Sequence, residues 1–297
     1  MRGTEQGYLL LTSHLGDMER PVLTVAQLRK LTTAVLAADY PNEERLLQPE
    51  DLTALGYSRS FAGRVIDLLT EEDRLKNYLF KGWQAQWLPI TRVTNGYPVQ
   101  LRQKLGLDSP GVLWAKGNIS LLEKPSIALV GSRELKPENA AFAKAVGRQA
   151  ALQGYVLISG NARGADRMAQ ESCLAHGGQV ISIVADSLQE QTLRENILYL
   201  AEDSYDLPFS AHRALSRNRL IHALGEMTFV AQSSLEKGGT WNGSVDNLRH
   251  DRSLLYVFQD GSTAAEALIG RGARSVSKEA LSDLQSLQTE EQKRINL

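Results

Sequence analysis

Four short clusters in this chain combine glycine, hydroxyl and arginine in a way suited to holding phosphate. They are Gly131-Ser132-Arg133, then Ser159-Gly160-Asn161-Ala162-Arg163-Gly164 with Asp166 close behind, then Arg217-Asn218-Arg219, and Gly238-Gly239-Thr240. Glycine permits positive φ and lets backbone N–H groups approach an anion closely. Arginine clamps phosphate oxygens with paired hydrogen bonds, and the hydroxyls of Ser132, Ser159 and Thr240 can add more. Each cluster alone is ordinary, since Gly-Ser after a strand is often only a turn. Their recurrence at successive strand ends points to a phosphate-binding floor for a nucleotide or a nucleic-acid strand. Asp166 reads as a helix-dipole residue or as an orienting partner for Arg163, and the second is the expectation.

The elements that must position these clusters are short apolar runs. Ile127 to Val130 and Tyr155 to Ile158 flank a stretch in which Phe142, Val146, Ala150 and Leu152 recur near helical spacing. Two unalternating runs around a helix read as parallel strands buried on both faces, a βαβ unit. Val180 to Val184, Met227 to Ala231 and Leu254 to Phe258 add further strands, and Gly111 to Lys116 reads as another. The class is α/β, a doubly wound and mostly parallel sheet, whose ligands sit beyond the C-terminal strand ends. Leu188 to Ala201 reads as a polar helical stretch. Ser216 is the expected cap of a helix with Arg217, Asn218 and Arg219 in its first turn. Cations there oppose the helix dipole, and an anion brought to them explains their presence.

Residues 1–86 carry helical patterns and no convincing strand, and read as a small all-helical domain of SAM-like or helix-hairpin-helix-like type. Helices are expected around Tyr8 to His14, Thr24 to Ala37, Pro49 to Leu55 and Phe61 to Trp87. Thr24 with Gln27 suits a capping box, and Ser58 suits a cap before Phe61. Leu55-Gly56-Tyr57-Ser58 could be a hairpin turn on DNA backbone, but a plain C-cap is the expectation. Glu71-Glu72-Asp73 reads as a solvated helix face. Trp83 and Trp87 suit an apolar seam between domains, or a stack for bases. The boundary is placed near Gln86, with the second domain over 87–276 and a charged helical tail over 277–297.

Composition excludes several classes. The formal net charge is −1, so no global basic field holds nucleic acid and any such binding must be local. The single Cys173 rules out an intramolecular disulfide framework and reads as a buried thiol. The run Tyr8 to Leu11 is too short for a signal core or a span, so a cytoplasmic protein without membrane partners is expected. No Walker loop, G-x-G-x-x-G or G-x-S-x-G motif occurs, and His14, His176, His212, His222 and His250 lack metal-ligand spacing. Carboxylates do not gather at the strand ends. The expectation is no metal, no cofactor and no catalysis.

The strand-end motifs resemble those of the DNA-processing protein A (DprA/Smf) family: V-G-S-R at Val130 to Arg133, S-G-x-A-R-G-x-D at Ser159 to Asp166, and R-N-R-I-I approximated by Arg217 to Ile221. The likeness covers about residues 95–275, with Tyr97-Pro98, Asp108-Ser109-Pro110 and Gly272-Ala273 inside it. It implies an extended Rossmann-like fold that binds single-stranded DNA without catalysis, loads a RecA-type recombinase and acts as a homodimer in natural transformation. The chain departs from the pattern at Gln170, Ala214-Leu215, Gly238 and Asp260-Gly261, where the family usually has His, Phe-Pro, Ser and Pro-Gly. No C-terminal winged-helix domain is expected within the tail. The sequence therefore reads as a divergent single-strand-binding recombination mediator. The alternative is a small-nucleotide sensor or phosphoribohydrolase-like protein using the same pocket, in phage defence.

Overall fold

Local capping sets the helices that come first in the chain. The computed structural model describes residues 3–38 and 47–288. Its first elements are α1 (Gly3–Thr12), α2 (Val25–Ala37), α3 (Pro49–Ala54), α4 (Arg59–Thr70) and α5 (Glu72–Gln84). Thr24 and Gln27 form the expected capping box, and Ser58 Oγ accepts the N–H of Phe61 at 3.2 Å. The single helix expected over Phe61 to Trp87 is two helices broken at Glu71, with a strand beginning at Trp87. Glu72 and Asp73 are exposed as expected, whereas Glu71 is half-buried. Its carboxylate accepts from Arg20 Nε at 3.2 Å, while the buried Arg20 also donates to the carbonyls of Ser13 and Leu68.

The remaining elements are β1 (Trp87–Thr91), α6 (Val99–Leu105), β2 (Val112–Gly117), β3 (Ser126–Val130), α7 (Pro137–Leu152), β4 (Val156–Ser159), α8 (Ala165–Ala175), β5 (Gln179–Val184), β6 (Ile197–Glu202), α9 (Ala211–Leu224), β7 (Met227–Val230), α10 (Gly238–His250), β8 (Leu254–Phe258), α11 (Thr263–Ile269) and β9 (Arg274–Val276). The polar helix expected from Leu188 to Ala201 is a single 3-10 turn over Leu188–Glu190, followed by β6. The described strands form a nine-stranded, mostly parallel sheet with flanking helices, an α/β Rossmann-like fold.

Two compact units divide the chain: Met1–Ala115 with Ala201–Leu207, and Lys116–Leu200 with Pro208–Leu297. The division falls at Ala115 rather than near Gln86 because Trp114 belongs with the first unit. Its indole packs edge-on to Tyr78 at 5.3 Å and to Tyr205 at 4.8 Å. A leucine-rich cluster that includes Leu28, Leu52, Val65 and Leu68 forms the other core of that unit. Trp87 packs on Tyr205 at 4.8 Å, whereas Trp83 is 68% exposed, so the two tryptophans do not make one apolar stripe.

In the second unit the order β5-β4-β3-β7-β8-β9 is parallel throughout. The chain runs outward from β3 through β4 to β5, then returns to place β7 on the other side of β3. Strand order reverses between β3 and β7, and open α/β sheets leave their ligand crevice at such a point. The βαβ unit read from the sequence is present, with Ile127 opposite Leu157 and Ala128 opposite Ile158. The tail expected over 277–297 is partly structural. Leu281 and Leu284 are buried, Leu284 N–H donates to Gln153 Oε1, and Tyr256 Oη donates to the carbonyl of Leu287. Residues 289–297 lie outside the described residues. No helix among the described residues is long and apolar enough to cross a membrane.

Candidate phosphate-binding cleft

The turn after β3 is fixed from the neighbouring strand. Ser132 donates its N–H and its Oγ to the carbonyl of Gln232, at 3.0 and 3.1 Å. The Gln232 side chain accepts the N–H of Lys136 at 2.9 Å and donates to the carbonyl of Glu134 at 3.2 Å. One glutamine just past β7 thus braces the loop that presents Arg133. The sequence reading did not find Gln232, because nothing local ties it to a loop 100 residues earlier. Only the β3–β7 pairing does.

The turn after β4 is built around Asp166. Its Oδ2 accepts the N–H groups of Gly160 at 3.1 Å and Ala162 at 3.2 Å, which holds the loop closed. Asn161 takes φ of +58° there and donates its amide to Gln191 Oε1 at 3.1 Å. Gly164, at φ of +91°, lies so near the carbonyls of Ser132 and Arg133 that any Cβ would collide with them. Gly160 is needed for another reason: a Cβ on it would fall inside the guanidinium of Arg217. Ser159 is buried and accepts from Gln170 Nε2 at 2.6 Å, so it supports the loop from beneath.

Arg217 reaches this loop from the middle of α9. That helix begins at Ala211, where Ser210 Oγ accepts the N–H of Arg213 at 3.1 Å. The expected start at Ser216 is therefore corrected: Arg217, Asn218 and Arg219 lie beyond the first turn, and the dipole argument does not apply to them. Two serines could each have capped, and the earlier one does. Arg217 is buried and donates Nη1 to the carbonyl of Ile183 at 2.6 Å, while its Nε has no hydrogen-bond partner. Burial pushes the guanidinium below its usual range. Asp166 and then Asp186 oppose that, and Arg133 adds to it. Burial lifts the Asp166 carboxyl above its usual value, opposed first by Arg217 and then by the two N–H donors. Asp166 is thus the carboxylate that most offsets the burial of Arg217. Its expected partner Arg163 instead pairs with Glu134 at 3.3 Å, both side chains largely in solvent.

These parts enclose two adjoining recesses of about 190 and 890 Å³, which share Arg133, Ala162, Arg163, Phe209 and Arg217. The smaller also takes in Gly160, Asn161 and Asp186. The larger is bounded by Gly131, Ser132, Asp166, Asn218, Lys237 and the start of α10 at Gly238, Gly239 and Thr240. Asn218 Nδ2 donates to the carbonyl of Gly239 at 3.0 Å and so ties α9 to α10. Ser159, Gly164 and Arg219 do not line either recess. Phe209, which the sequence reading passed over, lines both.

The chemistry on offer is anion binding by guanidinium groups over a rigid floor. Cys173 is buried, and burial pushes its thiol up to about 12, which keeps it protonated and unreactive. Among the described residues no group of three or more His, Cys, Asp or Glu side chains is placed to hold a metal ion.

The family model for DNA recombination-mediator protein A matches residues 89–285. DNA processing protein DprA of Bacillus subtilis is 26% identical over 248 residues, spanning 74% of this chain and 83% of that protein. The protein of the same name from Streptococcus pneumoniae is 27% identical over 188 residues, 57% of this chain and 64% of its own length. The solved structure of Streptococcus pneumoniae DprA aligns with a TM-score of 0.70 at 21% identity, covering 94% of this chain and 96% of that one. DNA processing protein A of Helicobacter pylori, solved for its single-stranded DNA binding mode, aligns with a TM-score of 0.57 at 23% identity, covering 69% and 97%.

Proposed function

The chain belongs to the DNA recombination-mediator protein A family, and from that premise we propose that its cleft binds the sugar–phosphate backbone of single-stranded DNA. The observation that carries this reading is the convergence of Arg133, Arg163 and Arg217, from three separate segments, on the same two recesses. A chain with net charge of −1 has no diffuse field to attract DNA, so affinity must come from such a local cluster. That the Helicobacter pylori relative was solved for its single-strand binding mode supports the choice of ligand. In this reading the cleft binds without turning its ligand over. The protein hands the strand to a RecA-type recombinase, works as a homodimer, and does so in the cytoplasm.

The test is a fluorescence-polarisation titration of a labelled single strand, its duplex and a labelled mononucleotide. The expected order is single strand above duplex above mononucleotide, because only an extended strand engages cations in both recesses and keeps its bases free to part. Equal affinity for the mononucleotide overturns the reading in favour of a small-nucleotide sensor.

A further inference from the structure

Two carboxylates line the larger recess, Asp166 and Glu134. Asp166 is buried and accepts the N–H groups of Gly160 and Ala162, so its work in the loop accounts for it. Glu134 is different. Its side chain is 89% exposed, and its Oε1 accepts from Arg163 Nη2 at 3.3 Å. A negative charge on the rim of a cationic cleft opposes the approach of an anion. The backbone nevertheless holds it there. Gln232 Nε2 donates to the carbonyl of Glu134 at 3.2 Å, and the N–H of Lys136 donates to Gln232 Oε1 at 2.9 Å. The loop carrying Arg163 is tied to the same turn. The N–H of Ala165 donates to the carbonyl of Ser132 at 3.2 Å, and Gly164 packs against the carbonyls of Ser132 and Arg133. The two side chains therefore start from backbones locked to one another, which keeps the carboxylate within reach of the guanidinium.

We propose that Glu134 is an internal competitor for Arg163: its carboxylate takes guanidinium donors that a backbone phosphate would use, and a bound strand displaces it. The inference rests on the strand-binding reading and deepens it, by assigning a residue that limits affinity rather than supplying it. Carboxylate and phosphate oxygens meet a guanidinium through the same N–H groups, so the two compete for Arg163. An exposed ion pair is weak enough to be exchanged. The exchange favours a polyanion. A strand held also at Arg133 and Arg217 offsets it with further contacts, whereas an isolated phosphate offers one contact alone.

The test is a double-mutant cycle on single-strand affinity, with the wild-type chain, Glu134→Gln, Arg163→Gln and the two changes together. Glu134→Gln should raise affinity by about 2- to 5-fold, the upper span of what an exposed ion pair is worth. In the Arg163→Gln background the same change should have little effect, because the competition is already gone. Both side chains lie largely in solvent, so the four proteins should melt together. An equal rise in both backgrounds would mean that Glu134 acts through its field alone, and the competition would be wrong while strand binding stands. No rise, or a fall, on the wild-type background would overturn it as well. If the wild type binds no single strand, the strand-binding reading itself falls, and this inference with it.

Discussion

Arg217→Gln is expected to lower single-strand affinity by about 10- to 150-fold, the loss of one charge-assisted hydrogen bond worth about 1.5–3 kcal/mol. The same change should also cost stability. Arg217 is buried, and its loss removes both its hydrogen bond to the carbonyl of Ile183 and the positive charge that opposes the burial of Asp166, at about 1–3 kcal/mol for an unmet buried group. The two effects separate in the double variant Asp166→Asn with Arg217→Gln. An asparagine keeps one carbonyl oxygen for the N–H groups of Gly160 and Ala162, which Asp166 now holds through a single atom. The double variant should regain much of the melting temperature and none of the affinity. Recovery of binding in it would show that Arg217 acts only as a scaffold for the loop.

The second large effect is acid sensitivity from His222. Its ring is buried between α9 and α10, close to Gly243, and neither ring nitrogen has a hydrogen-bond partner. Burial, then the charge of Arg252, push its pKa down from 6.5 to about 3, with Asp246 opposing. A histidine depressed on folding gives stability that is whole above its unfolded pKa and is lost as pH falls toward its folded one. Linkage over that window predicts a loss of roughly 2 kcal/mol by pH 5 and roughly 3 kcal/mol by pH 4. Chemical denaturation of the wild type and His222→Leu across pH 4 to 7.5 measures it. The leucine variant should show a flatter profile, and parallel profiles would mean that the ring is solvated or paired in solution.

How much of this was legible in the sequence depends on distance along the chain. The β3-α7-β4 unit could be read because each part is local: an apolar run, a helical repeat, another run, and glycines where the strands stop. The Thr24–Gln27 box and the Ser58 cap were legible for the same reason. β6 was not, because Ile197–Glu202 follows a polar stretch whose spacing also suits a helix, and its partner strands decide the matter. Nearness in sequence misleads for Asp166, whose expected partner Arg163 pairs with Glu134 while Asp166 holds the N–H groups of Gly160 and Ala162. The cleft residues Arg133, Arg163 and Arg217 were found by type and motif. Their different depths were not, since only packing separates a buried Arg217 from an exposed Arg163. Gln232 and Phe209 gave no local signal at all. One braces through a strand pairing, and the other is an ordinary phenylalanine until its exposure beside three arginines is seen.

In the proposed reading a fixed set of side chains in this cleft grips the backbone of a single strand. A salt series decides it: a thymidine strand is titrated at several salt concentrations and the slope of log K against log salt is taken. Arg133, Arg163, Arg217 and Lys237 line the cleft, and four phosphate contacts give a slope of about −3, at about −0.7 per contact on single strands. Arg163→Gln should make the slope shallower by about 0.7, one contact's share. A flat slope, or a slope unchanged by that substitution, would contradict the claim.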